Sequence, residues 1–306
     1  MMRIIDTYAA LLQQLDLLQH PNLLQHSNLL QHPDSLRPCG ASQKPRFHLD
    51  AWRAYAERIA PSLRQLVEAD ASGYDLERQV APVVEAALFH RDKMEMAHRS
   101  FLAAVERLPE RIREAFGIDM DVDVVFYLGL CNGAGWATTL DGRDAVLLGI
   151  EKIVELDWVG EKAMRALLYH ELSHIWHRLA GAAQIARTPR EKGLLQLYRE
   201  GFAMYGEQLL CGDCGYFHQD DGQWLPWCRD NAAMLKREYL RRLEAGESVQ
   251  DFFGDWCRFQ EHADVGYFLG ADFVQALAQR CAPAEIAGLD LATLWREVRA
   301  WAEMPA

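Results

Sequence analysis

From about residue 50 onward, apolar positions recur at helical spacing, and one stretch breaks the rhythm. In "LDAWRAYAERIAPSLRQLVEA", Trp52, Tyr55, Ile59, Leu63 and Leu66 fall on one side, which predicts an amphipathic helix with Asp50 as its N-cap. "DLERQVAPVVEAALFHRDKMEMAHRSFLAAVERL" predicts a longer one, kinked near Pro82, with His90 and His98 as surface or packing residues. The texture changes at residue 121. "DVDVVFYLGL" is β-rich, and "CNGAGWATTLDGRDAVLLGIEKI" adds glycines, a turn at "LDGRD" and a second apolar run. Together they predict a small sheet with a hairpin around Asp141–Gly142. Helices are then predicted over about 160–180, 190–211, 229–245, 249–259, 266–281 and 290–302. The expected class is α+β, predominantly helical.

The N-terminal region reads differently. "LLQHPN", "LLQHSN" and "LLQHPD" repeat with a period of six, which fits neither the helix nor the heptad. Pro21 and Pro33 break any long helix there, and His20, His26 and His32 form either a metal-binding tract or the residue of a tandem duplication. "PDSLRPCGASQKPRF" holds three prolines and reads as a linker. The expected organisation is a repeat-bearing, partly flexible segment over 1–46, a helical region over 47–117 and a main domain over 118–306.

Half of the 306 residues are hydrophobic and a quarter charged, a globular composition. A formal charge of −12, with no Lys/Arg cluster to reverse it locally, argues against a nucleic-acid partner. No uncharged apolar run approaches the roughly 18–20 residues that span a bilayer. The first twenty residues lack the h-region of a signal peptide. Seven cysteines, an odd count, read as reduced thiols in a cytoplasm.

The chemistry gathers in "ALLYHELSHIWH", residues 166–177. On a helix His170 and His174 share a face one turn apart, so both imidazoles can reach one ion about 2.0–2.1 Å from each nitrogen. Glu171 projects about 100° away from His170, beside such an ion but outside its ligand shell. That suits a general base acting on a metal-activated water. Ala166, Leu167, Leu172, Ile175 and Leu179 would wrap the helix in apolar surface. His177 completes an i, i+4, i+7 stripe and reads as a packing or supporting residue.

Zinc hydrolases commonly use three protein ligands. "LYREGFAMYGEQLL", residues 197–210, supplies candidates in Glu200 and Glu207. If the first helix ends near Gly181 and the chain turns around Thr188–Pro189, an antiparallel return brings Glu200 level with the histidines. Gly201 would let these two helices approach closely. Glu207 is the alternative ligand, or else a hydrogen-bonding partner for a ligand histidine.

"HELSH" followed by "EGFAMYGE" resembles the gluzincin pattern of zinc metallopeptidases. More narrowly, with the hairpin over 122–150 and "VGYFLGADFV" at 265–274, it resembles a bacterial family of zinc-dependent proteases inferred from sequence. The resemblance covers about 120–280. It implies a zincin-like domain, with a small sheet packed on the HExxH helix and a C-terminal helical subdomain. It also implies Zn2+ on His170, His174 and Glu200, Glu171 as general base, and a peptide or protein substrate. Tyr267, from the 265–274 block, is the candidate donor to the oxyanion, with His262 second; the alternative is that the Tyr267 ring packs between helices, with Gly266 and Gly270 permitting close contact. By analogy with zincins, "GWATTL" or "AVLLGI" would pair with extended substrate. In one respect the chain departs from the pattern: thermolysin-like gluzincins carry an Asp four residues after the ligand Glu, where this chain has Met204.

Three alternatives stay open on sequence: a non-catalytic metal-binding or regulatory protein, an amidase acting on a non-peptide substrate, and a helical scaffold with an accidental HExxH. "LLCGDCGYFHQDDGQWLPWC" offers Cys211, Cys214, His218 and Cys228 either as a second metal site or as reduced thiols in a connection over the cleft.

Overall fold

The computed structural model describes residues 1–19, 45–181, 184–254 and 257–304, so His20, His26 and His32 lie outside the described residues. The chain is predominantly helical with one small mixed sheet, an α+β architecture. It forms two compact units, Met1–Leu108 with Asp121–Leu168, and Pro109–Met120 with Tyr169–Ala306. Among the described residues no helix is long and apolar enough to cross a membrane.

The first unit is built on four strands in the order β1-β2-β4-β3. β1 (Arg3–Asp6) runs parallel to β2 (Val122–Tyr127), β2 parallel to β4 (Arg143–Gly149), and β3 (Gly135–Leu140) antiparallel to β4. β2 is buried along its whole length, as expected of an interior strand of a parallel ladder. Asp123 is the charged exception, and Arg3 and Arg143 both bond its carboxylate. The β3–β4 turn has positive φ at Asp141 (48°) and Gly142 (79°), the requirement of a type I′ hairpin. Because β4 is paired on both sides, "AVLLGI" has no edge to offer a substrate, while "GWATTL" is an outer strand.

Helices α1 (Tyr8–Gln19), α2 (Leu49–Ile59), α3 (Leu63–Asp70), α4 (Ala81–Phe89) and α5 (Arg91–Val105) precede α6 (Leu108–Phe116). The single helix expected over 50–70 is two, broken at Ala60–Pro61, because Pro61 has no N–H to continue the ladder. Its N-cap is His48, so Asp50 lies in the first turn and not at the cap. The expected kink near Pro82 is a π-helical turn over Leu76–Val80 running into α4, with a second break at His90. α5 buries Met94, Ala97, Phe101 and Ala104 at helical spacing, and Phe101 stacks on Phe126 of β2 at 4.7 Å. After β4, α7 (Ile150–Glu155) carries the fully buried Glu151, which accepts the backbone N–H groups of Gly129 (2.7 Å) and Cys131 (3.0 Å). Burial pushes its carboxyl pKa up.

α8 (Glu161–Ala180) begins in the first unit and runs into the second, where α9 (Pro189–Cys211), α10 (Trp224–Asp230), α11 (Ala232–Ala245), α12 (Val265–Ala278), α13 (Pro283–Ala287) and α14 (Leu291–Ala302) follow. Among the described residues of the 249–259 stretch, expected as a helix, the structure has only a 3-10 turn at Gln250–Phe252; Gly254 at φ 101° cannot continue a helix. α9 is sharply delimited. Thr188 and Glu191 form a capping box, Pro189 opens the helix, and Gly212 closes it at φ 70°.

Candidate metal centre

α9 returns antiparallel to the second half of α8: His170 meets Glu207, His174 meets Glu200, and His177 meets Tyr198. Their close approach is at Gly206, not at Gly201 as the sequence suggested. A Cβ on Gly206 would lie 2.7 Å from that of Ser173 on α8. Gly201 faces α12 instead, where a Cβ would lie 2.5 Å from the carbonyl carbon of Gly270. Only glycines allow those two backbones to touch. Gly201 of "EGFAMYGE" and Gly270 of "VGYFLG" thus explain one another, and with Gly206 they fix α9 between the helices bearing the histidines and Tyr267.

On this frame one carboxylate oxygen, Glu200 Oε2, sits 3.3 Å from His170 Nε2 and 3.4 Å from His174 Nε2. The two imidazoles stand nearly perpendicular, 85°, with centroids 4.8 Å apart. His170 is buried, while His174 and Glu200 keep about a quarter of their side-chain surface exposed (24% and 22%), so the group can be reached from solvent. Ala166, Leu167, Leu172 and Ile175 are buried around the helix, but Leu179 is 53% exposed and does not belong to that apolar wrap.

The opposite edge of His170 faces Glu207. Nδ1 lies 3.2 Å from Glu207 Oε2, and His218 Nδ1 lies 3.0 Å from both oxygens of the same carboxylate. Glu207, the alternative ligand in the sequence, is fully buried and faces Nδ1, the edge of His170 away from His174 and Glu200. Among the described residues, two groups of ligating side chains come together: His170, His174 and Glu200, and His170, Glu207 and His218. The first is the open one. The second has hydrogen-bond spacings and is closed off from solvent at Glu207.

The charges of the group are strongly coupled. Burial acts to lower the pKa of His170, but the facing carboxylates of Glu200 and Glu207 outweigh it and raise it to about 10. Burial acts to raise the Glu200 and Glu207 carboxyls, yet the facing imidazoles hold both below the usual carboxylate range. His177 lies apart from this cluster. Its ring stacks on Phe202 at 4.3 Å and meets Tyr198 edge-on, and burial, with His174 adding to it, depresses its pKa to about 3. It is a neutral packing histidine.

The remaining candidates divide. The half-buried Tyr267 has its ring 5.8 Å from that of His170 and 6.3 Å from that of His218. His262 instead stacks on Trp227 at 3.7 Å. Cys211 and Cys214 are exposed and Cys228 buried, and among the described residues no cysteine joins a ligand group. Their companion His218 has gone to Glu207. No family model, curated protein or solved structure matches the chain. The centre has to be judged on its own geometry.

Sequence reasoning missed the role of His218. The available signal was Glu207 itself, two turns beyond Glu200 on a helix facing the histidines, where a buried carboxylate needs more than one donor.

Proposed function

We propose that this protein is a zinc-dependent metallopeptidase of the gluzincin type, with His170, His174 and Glu200 as ligands. The observation that carries the reading is the spacing around Glu200 Oε2, 3.3 Å and 3.4 Å to the two Nε2 atoms. Charge-assisted N–H···O bonds run about 2.7–2.9 Å, so both are long for hydrogen bonds. They match the edge of a tetrahedron, about 3.3–3.4 Å, whose corners lie about 2.0–2.1 Å from a central ion. Two imidazoles and a carboxylate are also a donor set that zinc accepts, with one position left for solvent or substrate.

Zn2+ held there would supply Lewis acidity, polarising a carbonyl and lowering the pKa of a coordinated water toward ~7. The chain's own residues do the rest. Glu171 is half-buried and leaves α8 about 100° round from His170, the direction from which a base would approach the water beside the ligands. It takes the proton from the attacking water and returns it to the leaving amine nitrogen. Tyr267, on the α12 turn that packs through Gly270 against Gly201, donates its phenol hydrogen to the oxygen on which negative charge develops. A purely metal-binding protein would have no use for Glu171, which favours an enzyme over a binding module.

Zinc-loaded protein is expected to cleave an unstructured protein such as casein, to stop on chelation and to recover with added Zn2+. Full zinc occupancy with no cleavage of casein or of a mixed peptide library would contradict the peptidase reading. Binding itself has a pH signature. At pH 7 the metal-free His170 carries a proton that ligation must displace, so about one proton leaves per Zn2+ bound, and affinity rises about tenfold per pH unit toward pH 10. Calorimetry in two buffers of different ionisation enthalpy measures this. A proton count near zero at pH 7 would mean that metal-free His170 is already neutral there.

A further inference from the structure

Glu207 is a fully buried carboxylate, and such a group is stable only when donors surround it. Two imidazoles from different elements serve it. His170 comes from α8, and His218 comes from the α9–α10 connection, with its Nδ1 equidistant from both oxygens at 3.0 Å. An ionised carboxylate only accepts, so both rings carry their hydrogen on Nδ1. For His170 the proton that a metal would displace is then the one on Nε2, on the edge facing Glu200 and His174, and the ring would ligate through that nitrogen. The two rings stand at 85° with centroids 5.6 Å apart, gripping the carboxylate from two directions.

The connection that carries His218 is itself anchored. Gln208 Nε2 donates to the carbonyl of Tyr216 at 3.0 Å, and Gln275 Nε2 on α12 donates to that of Cys214 at 2.9 Å. Asp220 and Asp221 accept backbone N–H groups of residues 222–225. His218 is therefore held in place on both sides.

We propose that His218 is a positioning residue for the metal centre: through Glu207 it fixes the ring of His170, so the α9–α10 connection sets how tightly the centre holds a divalent cation. This rests on the ligand set of the preceding subsection and concerns a residue outside that set. Removing the Nδ1 donor leaves Glu207 with one imidazole, free to rotate, and the ring of His170 loses its fixed orientation.

The test compares His218→Asn, whose side-chain N–H falls near the place of Nδ1, with His218→Phe, a flat ring without a donor. Zn2+ affinity would be measured by competition with a chromophoric chelator, and the ligand field by the visible spectrum of the Co2+ form. His218→Asn is expected to stay close to wild type in both. His218→Phe is expected to bind Zn2+ about 10- to 100-fold more weakly, with a shifted Co2+ spectrum. Glu207→Gln, which keeps the packing but removes the charge and sets an NH2 donor where His218 now faces a second acceptor oxygen, should weaken binding as His218→Phe does and stands in for it if that variant fails to fold. Wild-type affinity and spectrum in His218→Phe or Glu207→Gln would overturn the proposal, as would equal losses in the Asn and Phe variants. Wild-type protein that binds neither Zn2+ nor Co2+ would overturn the ligand set itself, and the role of His218 with it.

Discussion

Glu171→Gln is expected to lower peptide hydrolysis by about 100- to 10,000-fold, the contribution of a positioned general base, while zinc stays bound. The amide has nearly the shape of the carboxylate, so α8 and its buried face are undisturbed, and the three ligands are other residues. What disappears is the ability to take a proton from water and return it to the amine. The loss should therefore fall on kcat with little change in KM, since that interaction is made in the transition state. A variant that keeps its rate would remove Glu171 from the mechanism. A variant that loses its zinc would place Glu171 among the ligands.

Gly201→Ala is expected to destabilise the protein by about 3 kcal/mol or more, at the upper end of overpacking costs. Elsewhere in a helix the same change gains up to about 1 kcal/mol, because alanine loses less backbone entropy than glycine. Here the new Cβ would lie 2.5 Å from the carbonyl carbon and 2.8 Å from the Cα of Gly270, and backbone atoms cannot swing aside as a side-chain tip can. α9 and α12 would have to separate, and Glu200, the neighbouring residue, would move with α9. Gly270→Ala meets Gly201 N and Cα at 2.8 Å and should cost a similar amount, with the double variant costing less than the sum. Gly160→Ala, with no atom within 4 Å of its Cβ, is the control and should be close to neutral. Urea unfolding midpoints decide it. Equal stability of Gly201→Ala and wild type would mean that these backbones are not in contact.

The parts of this molecule that could be read in the sequence are those whose signal is local. Asp141–Gly142 marks a type I′ turn by itself, Thr188–Pro189 with Glu191 marks a helix start, and HExxH sets two histidines on one helix face. β1 was not legible. "RIID" is four residues long, and its parallel partner lies 120 positions away, so no turn or alternation announces the pairing. The 249–259 stretch misled because Phe252, Phe253 and Phe259 are buried aromatics whose spacing imitates a helix, while Gly254 breaks the backbone between them. At the centre, Glu200 and Glu207 stand two turns apart on one helix, and both were visible as candidates. Which faces the open edge of His170 and which the buried edge depends on the α8–α9 register. That register is set by the contact between Ser173 and Gly206, and it left no trace in the residue pattern. His218 sat in a cysteine-containing stretch whose spacing suggested a different site, and only folding brings it to Glu207.

The central claim is that His170, His174 and Glu200 hold zinc. Elemental analysis of purified wild-type protein, Glu171→Gln and Glu200→Ala tests it most directly. The expected result is about one zinc per chain in the first two and none retained in the third. A wild-type chain that holds no zinc even after reconstitution, or a Glu200→Ala chain that holds as much as wild type, would contradict it.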